Sequence, residues 1–197
     1  MPPKTDLQNQ EIRSKSKQKI IEASIVLFSE SGFSGTPISK IAQKAGVSKG
    51  LIYNYFETKE DIVKGIIDSL YEESKDTEQS IMQAFQNASP NEIIALMLDQ
   101  TYDFITQNKQ KWKLVTILAF KMNDFPYIHD IMTQKYAGYI QMFTGLFTQL
   151  GFEDPEMEGR LLAAQLDGIG MQFLMFNDDK YPLKEIFEGL KNRYKKK

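Results

Sequence analysis

Residues 36–59 read TPISKIAQKAGVSKGLIYNYFETK, and this stretch decides the fold. Ile38, Ile41, Ala42 and Ala45 recur at spacings of three and four, which makes one apolar stripe on a helix of roughly two turns. Thr36 is placed to cap that helix and Pro37 to open it, because proline's missing N–H is harmless at the first helical position. Gly46 ends it, since the left-handed conformation common just past a helix C-terminus is cheap for glycine. Ser48 can then cap a second short helix, so Gly46-Val47-Ser48 reads as the turn of a helix-turn-helix.

In the second helix Ile52 and Phe56 lie four apart and pack on the first, which leaves Lys49, Gly50, Tyr53, Asn54 and Tyr55 on other faces. These groups suit a nucleic-acid duplex. Lys49 can donate to guanine O6/N7 or to a phosphate, and Gly50 lets the helix start approach base edges. Tyr53 and Tyr55 combine a ring that can touch a thymine methyl with a hydroxyl that can bond phosphate. Thr58-Lys59-Glu60-Asp61 matches the S/T-x-x-D/E signature of a further helix start, with Lys59 in a first turn whose free N–H groups favour an anion.

The segment from about Gln18 to Leu70 resembles the N-terminal domain of the TetR/AcrR family of bacterial transcriptional repressors, whose pattern runs T-x-x-x-I-A-x-x-A-G-V-S-x-G-x-x-Y-x-[HY]-F-x-x-K. Ile41, Ala42, Ala45, Gly46, Val47, Ser48, Gly50, Tyr53, Tyr55, Phe56 and Lys59 fill it. The resemblance implies that Lys49, Gly50 and Tyr53 face the major groove, and that Thr36, Ser48, Tyr55 and Lys59 hold phosphates. Two positions depart from the pattern: histidine is commoner where Tyr55 stands, and threonine or valine where Pro37 stands.

Net charge is −2, but it is unevenly placed. Residues 1–60 hold nine Lys/Arg against six Asp/Glu, with Arg13, Lys15, Lys17 and Lys19 at or before the first helix. Residues 61–190 hold ten against twenty, and the last seven residues add five positives, among them Lys196 and Lys197. A basic head on an acidic body orients a protein on DNA, because phosphate contacts carry much of the affinity. The chain has no cysteine, which excludes disulfides and cysteine zinc sites and fits a reducing cytoplasm. Its longest apolar run, Ile93 to Leu98, is far short of the roughly 20 residues that span a bilayer. A soluble, cytoplasmic protein without membrane contact is expected.

Pro37, Pro90, Pro126, Pro155 and Pro182 all sit where helices can begin, and Ser89-Pro90-Asn91-Glu92 is a capping box with proline at its first position. No stretch sustains two-residue alternation. The expected fold is therefore all-α, with a flexible basic arm (1–14), a helix-turn-helix domain (15–60) and a helical effector-binding and dimerisation domain (61–197). Helices are expected at about 15–31, 37–45, 49–56, 59–87, 90–107, 110–122, 126–150, 155–177 and 182–195.

The larger domain holds no catalytic constellation: its single histidine, His129, has no cysteine partner, and Asp99 and Asp103 read as a solvated face. No catalytic residue, metal site or cofactor is expected. Met97, Tyr102, Trp112, Phe120, Tyr139, Phe143 and Phe173, with Gln165, Gln172 or Asn123 as orienting groups, could line a pocket for a small apolar or aromatic effector. Leu162, Leu166, Ile169 and Phe173 on the eighth helix and Leu183, Ile186, Phe187 and Leu190 on the ninth form two stripes that could pair across a two-fold axis. Together with the resemblance these imply a homodimeric, ligand-responsive repressor on a near-palindromic operator in double-stranded DNA. The alternative is a DNA binder of the same kind controlled by a protein partner, without a small-molecule pocket.

Overall fold

The computed structural model describes residues 6–121, 124–176 and 181–195. Among these residues there are nine α-helices and no strand: α1 (Asp6–Ser31), α2 (Ile38–Ala45), α3 (Lys49–Tyr53), α4 (Lys59–Asn87), α5 (Pro90–Gln107), α6 (Lys109–Phe120), α7 (Pro126–Gln149), α8 (Pro155–Phe176) and α9 (Leu183–Lys195). The chain divides into two compact units, Met1–Tyr71 and Glu72–Lys197, and the division falls inside α4 where the motif alone places it at 60/61. Lys196, Lys197, Met122, Asn123 and the expected helix end at 177 lie outside the described residues.

α1 begins nine residues before the expected start, so residues 6–14, read as part of a flexible arm, are helical from Asp6. Lys15 donates to Glu11 one turn earlier at 2.7 Å and the Ser16 hydroxyl to the Ile12 carbonyl at 2.8 Å. Such i,i+4 contacts support a helix with no apolar stripe to announce it.

Unit 1 is built on Ile20, Ile21, Ala23, Ile25 and Phe28 of α1, Ile41 and Ala42 of α2, Ile52, Phe56, and Ile62, Val63, Ile66 and Ile67 of α4, all buried. Gly46 closes α2 at φ 66°, with the Val47 N–H donating to the Ala42 carbonyl at 3.0 Å and the Gly46 N–H to Gln43 at 3.2 Å. This Schellman ending turns the chain within two residues, and a side chain at Gly46 would have to adopt a left-handed backbone. α4 opens on a reciprocal box: the Thr58 N–H and hydroxyl donate to Asp61 at 2.9 and 2.8 Å, and the Asp61 N–H returns to Thr58 at 3.1 Å. These bonds hold the Asp61 carboxyl below its ordinary range. Bonds from Ser89 do the same for Glu92 at the start of α5. Both groups have depressed folded-state values, so what they add is present above the ordinary carboxylate range and fades as pH falls through the lowered values.

In unit 2, α7 packs along α8 and α5 along α9. The core joins Ile93, Ile94, Met97, Leu98 and Ile105 of α5 to Ile140, Phe143, Leu146 and Phe147 of α7, Leu162 and Ala163 of α8, and Leu183, Phe187, Leu190 and Tyr194 of α9. Glu158 accepts from Tyr194 Oη at 3.1 Å and from Arg193 at 2.9 Å, which ties the end of α9 to the start of α8. Burial, with the neighbouring carboxylate, pushes the Tyr194 phenol up to about 12. The second half of α4 joins this unit through buried Ile81 and through ion pairs from Glu73 to Lys111 of α6 and from Glu78 to Lys135 of α7.

α6 meets α8 at one tight contact. Trp112 Nε1 donates to the Gly170 carbonyl at 3.0 Å, and a Cβ on Gly170 would lie 2.3 Å from Trp112 Cζ2. Gly170→Ala should therefore destabilise unit 2 by about 1–3 kcal/mol through overpacking. The double variant Gly170→Ala/Trp112→Leu should lose less than the sum of the single losses in chemical denaturation, whereas additive losses would mean that the two side chains do not compete for this space.

Candidate functional site

α3 is five residues long, too short to be stable by its own hydrogen bonds. Three contacts hold it. Ser48 Oγ accepts from the Leu51 N–H at 3.1 Å, which caps the helix and leaves the hydroxyl proton for an outside acceptor. Ile52 is fully buried, and Phe56 is buried against α4, where a Cβ on Gly65 would come 2.8 Å from the Phe56 ring. The chain then turns with the Tyr55 and Phe56 N–H groups both donating to the Ile52 carbonyl, at 2.9 and 3.0 Å.

Locking that side exposes the other. Ser48, Lys49, Gly50 and Asn54 are exposed, and Tyr53, at 54%, is among the most exposed large side chains of unit 1. Tyr55 is half-buried, with the Arg13 guanidinium carbon 5.9 Å from its ring centroid. A cationic side chain, a helix start without a Cβ, a hydroxyl cap and a phenol thus share one solvent-facing surface. This combination can bond phosphate oxygens and reach base edges.

Two expected phosphate ligands are turned inward. Thr36 is fully buried, and its hydroxyl bonds to the carbonyls of Gly32 at 2.8 Å and Leu27 at 3.2 Å. It also does not cap α2: Pro37 occupies the cap position with no side-chain bond, and Ile38 is the first helical residue. Lys59 Nζ donates to the Phe33 carbonyl at 2.7 Å and to Thr36 at 3.3 Å while resting 4.1 Å from the Phe33 ring centroid. The Thr36 hydroxyl fastens the α1–α2 connection back onto the end of α1, and Lys59 fastens it to the start of α4, because the carbonyls there need donors.

The expected effector residues of unit 2 do not form one lining. Met97 and Phe143 are core residues, and Tyr102, Trp112 and Phe173 pack against that core. Phe120 is 78% exposed, Tyr139 and Gln172 are exposed as well, and Gln172 accepts from Tyr181 Oη at 3.0 Å. Gln165 differs from these, since its Oε1 is buried with no donor, as is Gln100 Oε1 on α5. A buried amide oxygen without a donor is costly and marks a place where a ligand or water would be welcome. A concavity of about 330 Å³ opens elsewhere, lined by Phe152, Glu153, Asp154, Met157, Glu158 and Arg193, and it includes none of the expected residues. Among the described residues no group of three or more His, Cys, Asp or Glu could hold a metal ion. No helix of theirs is long and apolar enough to cross a membrane.

The stripes read as a dimer surface are largely occupied within the protomer. Leu162, Leu183, Phe187 and Leu190 are buried in the core of unit 2, Leu166, Ile169 and Phe173 are packed against it, and Ile186 is half-buried. The cause is the docking of α9 onto α5, which uses the apolar side of α9 and leaves Lys184, Glu185, Glu188 and Asn192 outward. α8 has a second apolar face, whose large residues belong to neither expected stripe although its small ones, Ala164 and Gly168, read in sequence as places of close backbone approach. Met157, Leu161, Ala164, Gly168, Met171 and Met175 follow one another at spacings of four and three. All are exposed except half-buried Gly168, with Leu161 at 47% and Met175 at 67%.

With this geometry in place, comparison with known proteins is direct. Residues 20–66 match the family model of bacterial regulatory proteins, tetR family. The chain is similar to the fatty acid metabolism regulator protein of Bacillus subtilis, at 28% identity over 84% of this chain and 86% of that protein. Its fold is similar to that of a TetR transcription regulator from Haloarcula marismortui (TM-score 0.74, 20% identity, 92% of this chain and 96% of the other). It is similar also to that of the transcriptional regulator FadR from Bacillus subtilis in complex with stearoyl-CoA (TM-score 0.67, 22% identity, 90% and 96%). The helix-turn-helix spelled by residues 36–59 and the matched segment agree: residues 20–66 are a DNA-binding domain of the tetR family of bacterial regulatory proteins, and the chain as a whole is similar to regulators that carry it.

Proposed function

We propose that the protein is a ligand-responsive repressor that binds double-stranded DNA as a homodimer, each half of a near-palindromic operator being read by one copy of α3. The observation that carries this reading is the division of residues 49–56, α3 and the turn that leaves it, into a buried side, Ile52 and Phe56, and an open side, Lys49, Gly50 and Tyr53. Lys49 and Tyr53 enter the major groove, Gly50 admits the helix start to the base edges, Asn54 lies beside them, and Ser48 and Tyr55 hold phosphates.

The exposed face of α8 is the dimer seam of this proposal. In an antiparallel pair of α8 helices crossing at residue 166, Met157 lies opposite Met175 of the second copy, Leu161 opposite Met171, and Ala164 opposite Gly168. Bulky residues meet at the ends and small ones at the centre, so the helix is complementary to itself, as a two-fold contact requires. The effector site is in unit 2, where the unpartnered Gln100 and Gln165 amides and the aromatic side chains of α5, α6 and α8 support an amphiphilic ligand with a long apolar part. A long-chain acyl group is the first class to test, because one similar Bacillus subtilis protein is named a fatty acid metabolism regulator and the similar FadR structure is a complex with stearoyl-CoA. α4 is shared by both units, so a ligand that favours one placement of its second half would alter the separation of the two α3 helices.

Three results test these assignments. On a duplex enriched by the protein from fragments of its own genome, Lys49→Ala and Tyr53→Ala should each cost about 1–3 kcal/mol of affinity with an unchanged melting temperature. Phe56→Ala should instead cost about 3–5 kcal/mol of stability, and equal effects of the three on melting would reverse the faces. Leu161→Lys and Met171→Glu should each convert the dimer to a folded monomer in native mass spectrometry, and the double variant should dimerise again through two Lys–Glu pairs; single variants that stay dimeric would contradict the seam. Stearate or stearoyl-CoA should release the duplex. A ligand that saturates unit 2 and leaves DNA affinity unchanged would favour control by a protein partner.

A further inference from the structure

The helical extension of α1 carries a pair of cations whose position the motif does not explain. Arg13 and Lys17 lie one turn apart and both are exposed. The Arg13 guanidinium carbon is 5.9 Å from the Tyr55 ring centroid and Lys17 Nζ is 5.8 Å from that of Phe56, so the two side chains run along the segment that leaves α3. Their neighbour Lys15 is spent on Glu11 at 2.7 Å, whereas among the described residues no carboxylate pairs with Arg13 or Lys17. A guanidinium held near an aromatic ring at this distance keeps its N–H donors, and their fork can grip a phosphate by two bonds. The attraction of the cation for the ring favours positions in which the Tyr55 ring and its hydroxyl stay beside Arg13.

We propose that Arg13 and Lys17 form a second DNA-backbone contact beside α3, in which Arg13 bonds a phosphate itself and braces Tyr55 so that its hydroxyl bonds the next. This rests on the reading of α3 as a DNA-binding element. It assigns to α1 a binding role in addition to its part in the core, and it makes Tyr55 useful at a position where an imidazole is commoner, because the larger ring offers a face to Arg13 and a hydroxyl beyond it. Lys17 bears on the backbone by charge alone, whereas Arg13 acts by charge and as a positioning residue.

The test is the salt dependence of binding to two probes, the genomically enriched duplex and a mixed-sequence duplex of the same length. Each lost phosphate contact reduces the slope of log affinity against log salt by about 0.9. Arg13→Ala and Lys17→Ala should each flatten the slope by that amount per protomer on both probes. Arg13→Lys should keep the slope yet bind more weakly than the parent, since the charge stays while the planar fork that bonds a phosphate and lies beside the Tyr55 ring goes. Tyr55→Phe should weaken binding in the parent but hardly at all in the Arg13→Ala background. Slopes unchanged in Arg13→Ala and Lys17→Ala, with Tyr53→Ala still abolishing preference for the enriched duplex, would overturn the proposal and leave the reading of α3 standing. Loss of neither slope nor preference in any of these variants would overturn both. Equal behaviour of Arg13→Lys and the parent would show that charge alone matters and remove the bracing role.

Discussion

The burial of Ile52 and Phe56 is the constraint on which the N-terminal unit turns. A helix of five residues cannot pay for its own order, so its orientation is set by the two side chains that enter the core and by the Ser48 cap. Helix geometry then leaves no freedom over the rest. With Ile52 and Phe56 inside, Lys49, Gly50 and Tyr53 must face solvent, and the surface they make follows from packing as much as from their own chemistry. The inward bonds of Thr36 and Lys59 serve the same end, because they fix the connection between α1 and α2 and hence the platform on which α3 sits.

The helical unit 2 applies the same logic to a different problem. α8 carries two apolar faces: one closes the core through Leu162, Leu166, Ile169 and Phe173, and the other presents Met157, Leu161, Met171 and Met175 to solvent. A helix apolar on both sides has to be covered on both. α7 lies along the first face, and α9 spends its own stripe on α5, where Lys191 bonds Asp99 at 2.7 Å and Tyr194 closes over Phe147. The second face stays open within the protomer, and under the proposed dimer it is the surface that a second copy of the chain would cover.

What the sequence made legible was local. Gly46-Val47-Ser48, the Thr58/Asp61 and Ser89/Glu92 boxes and the prolines that open α5, α7 and α8 are signals written within four residues, and the helices fall close to where those signals place them. Partners far along the chain were not legible. Lys59 looked like an anion ligand because its sequence neighbours form a helix start, yet it bonds a carbonyl 26 residues earlier. The start of α1 was not legible because residues 6–14 have no apolar period, and the open apolar face of α8 was not legible because periodicity finds stripes without saying which one meets the core. Aromatic density in unit 2 suffered the same ambiguity: Phe143 and Phe120 look alike in sequence, and one is buried while the other stands in solvent.

The most direct measurement is nuclear magnetic resonance of the protein with labelled isoleucine methyls and labelled lysine, tyrosine and phenylalanine side chains, titrated with the enriched duplex. The account predicts large shifts at Lys49 and Tyr53, with the Ile52 methyl and the Phe56 ring keeping their free-protein positions. Shifts concentrated at Ile52 and Phe56, or spread evenly over both sides of α3, would contradict it.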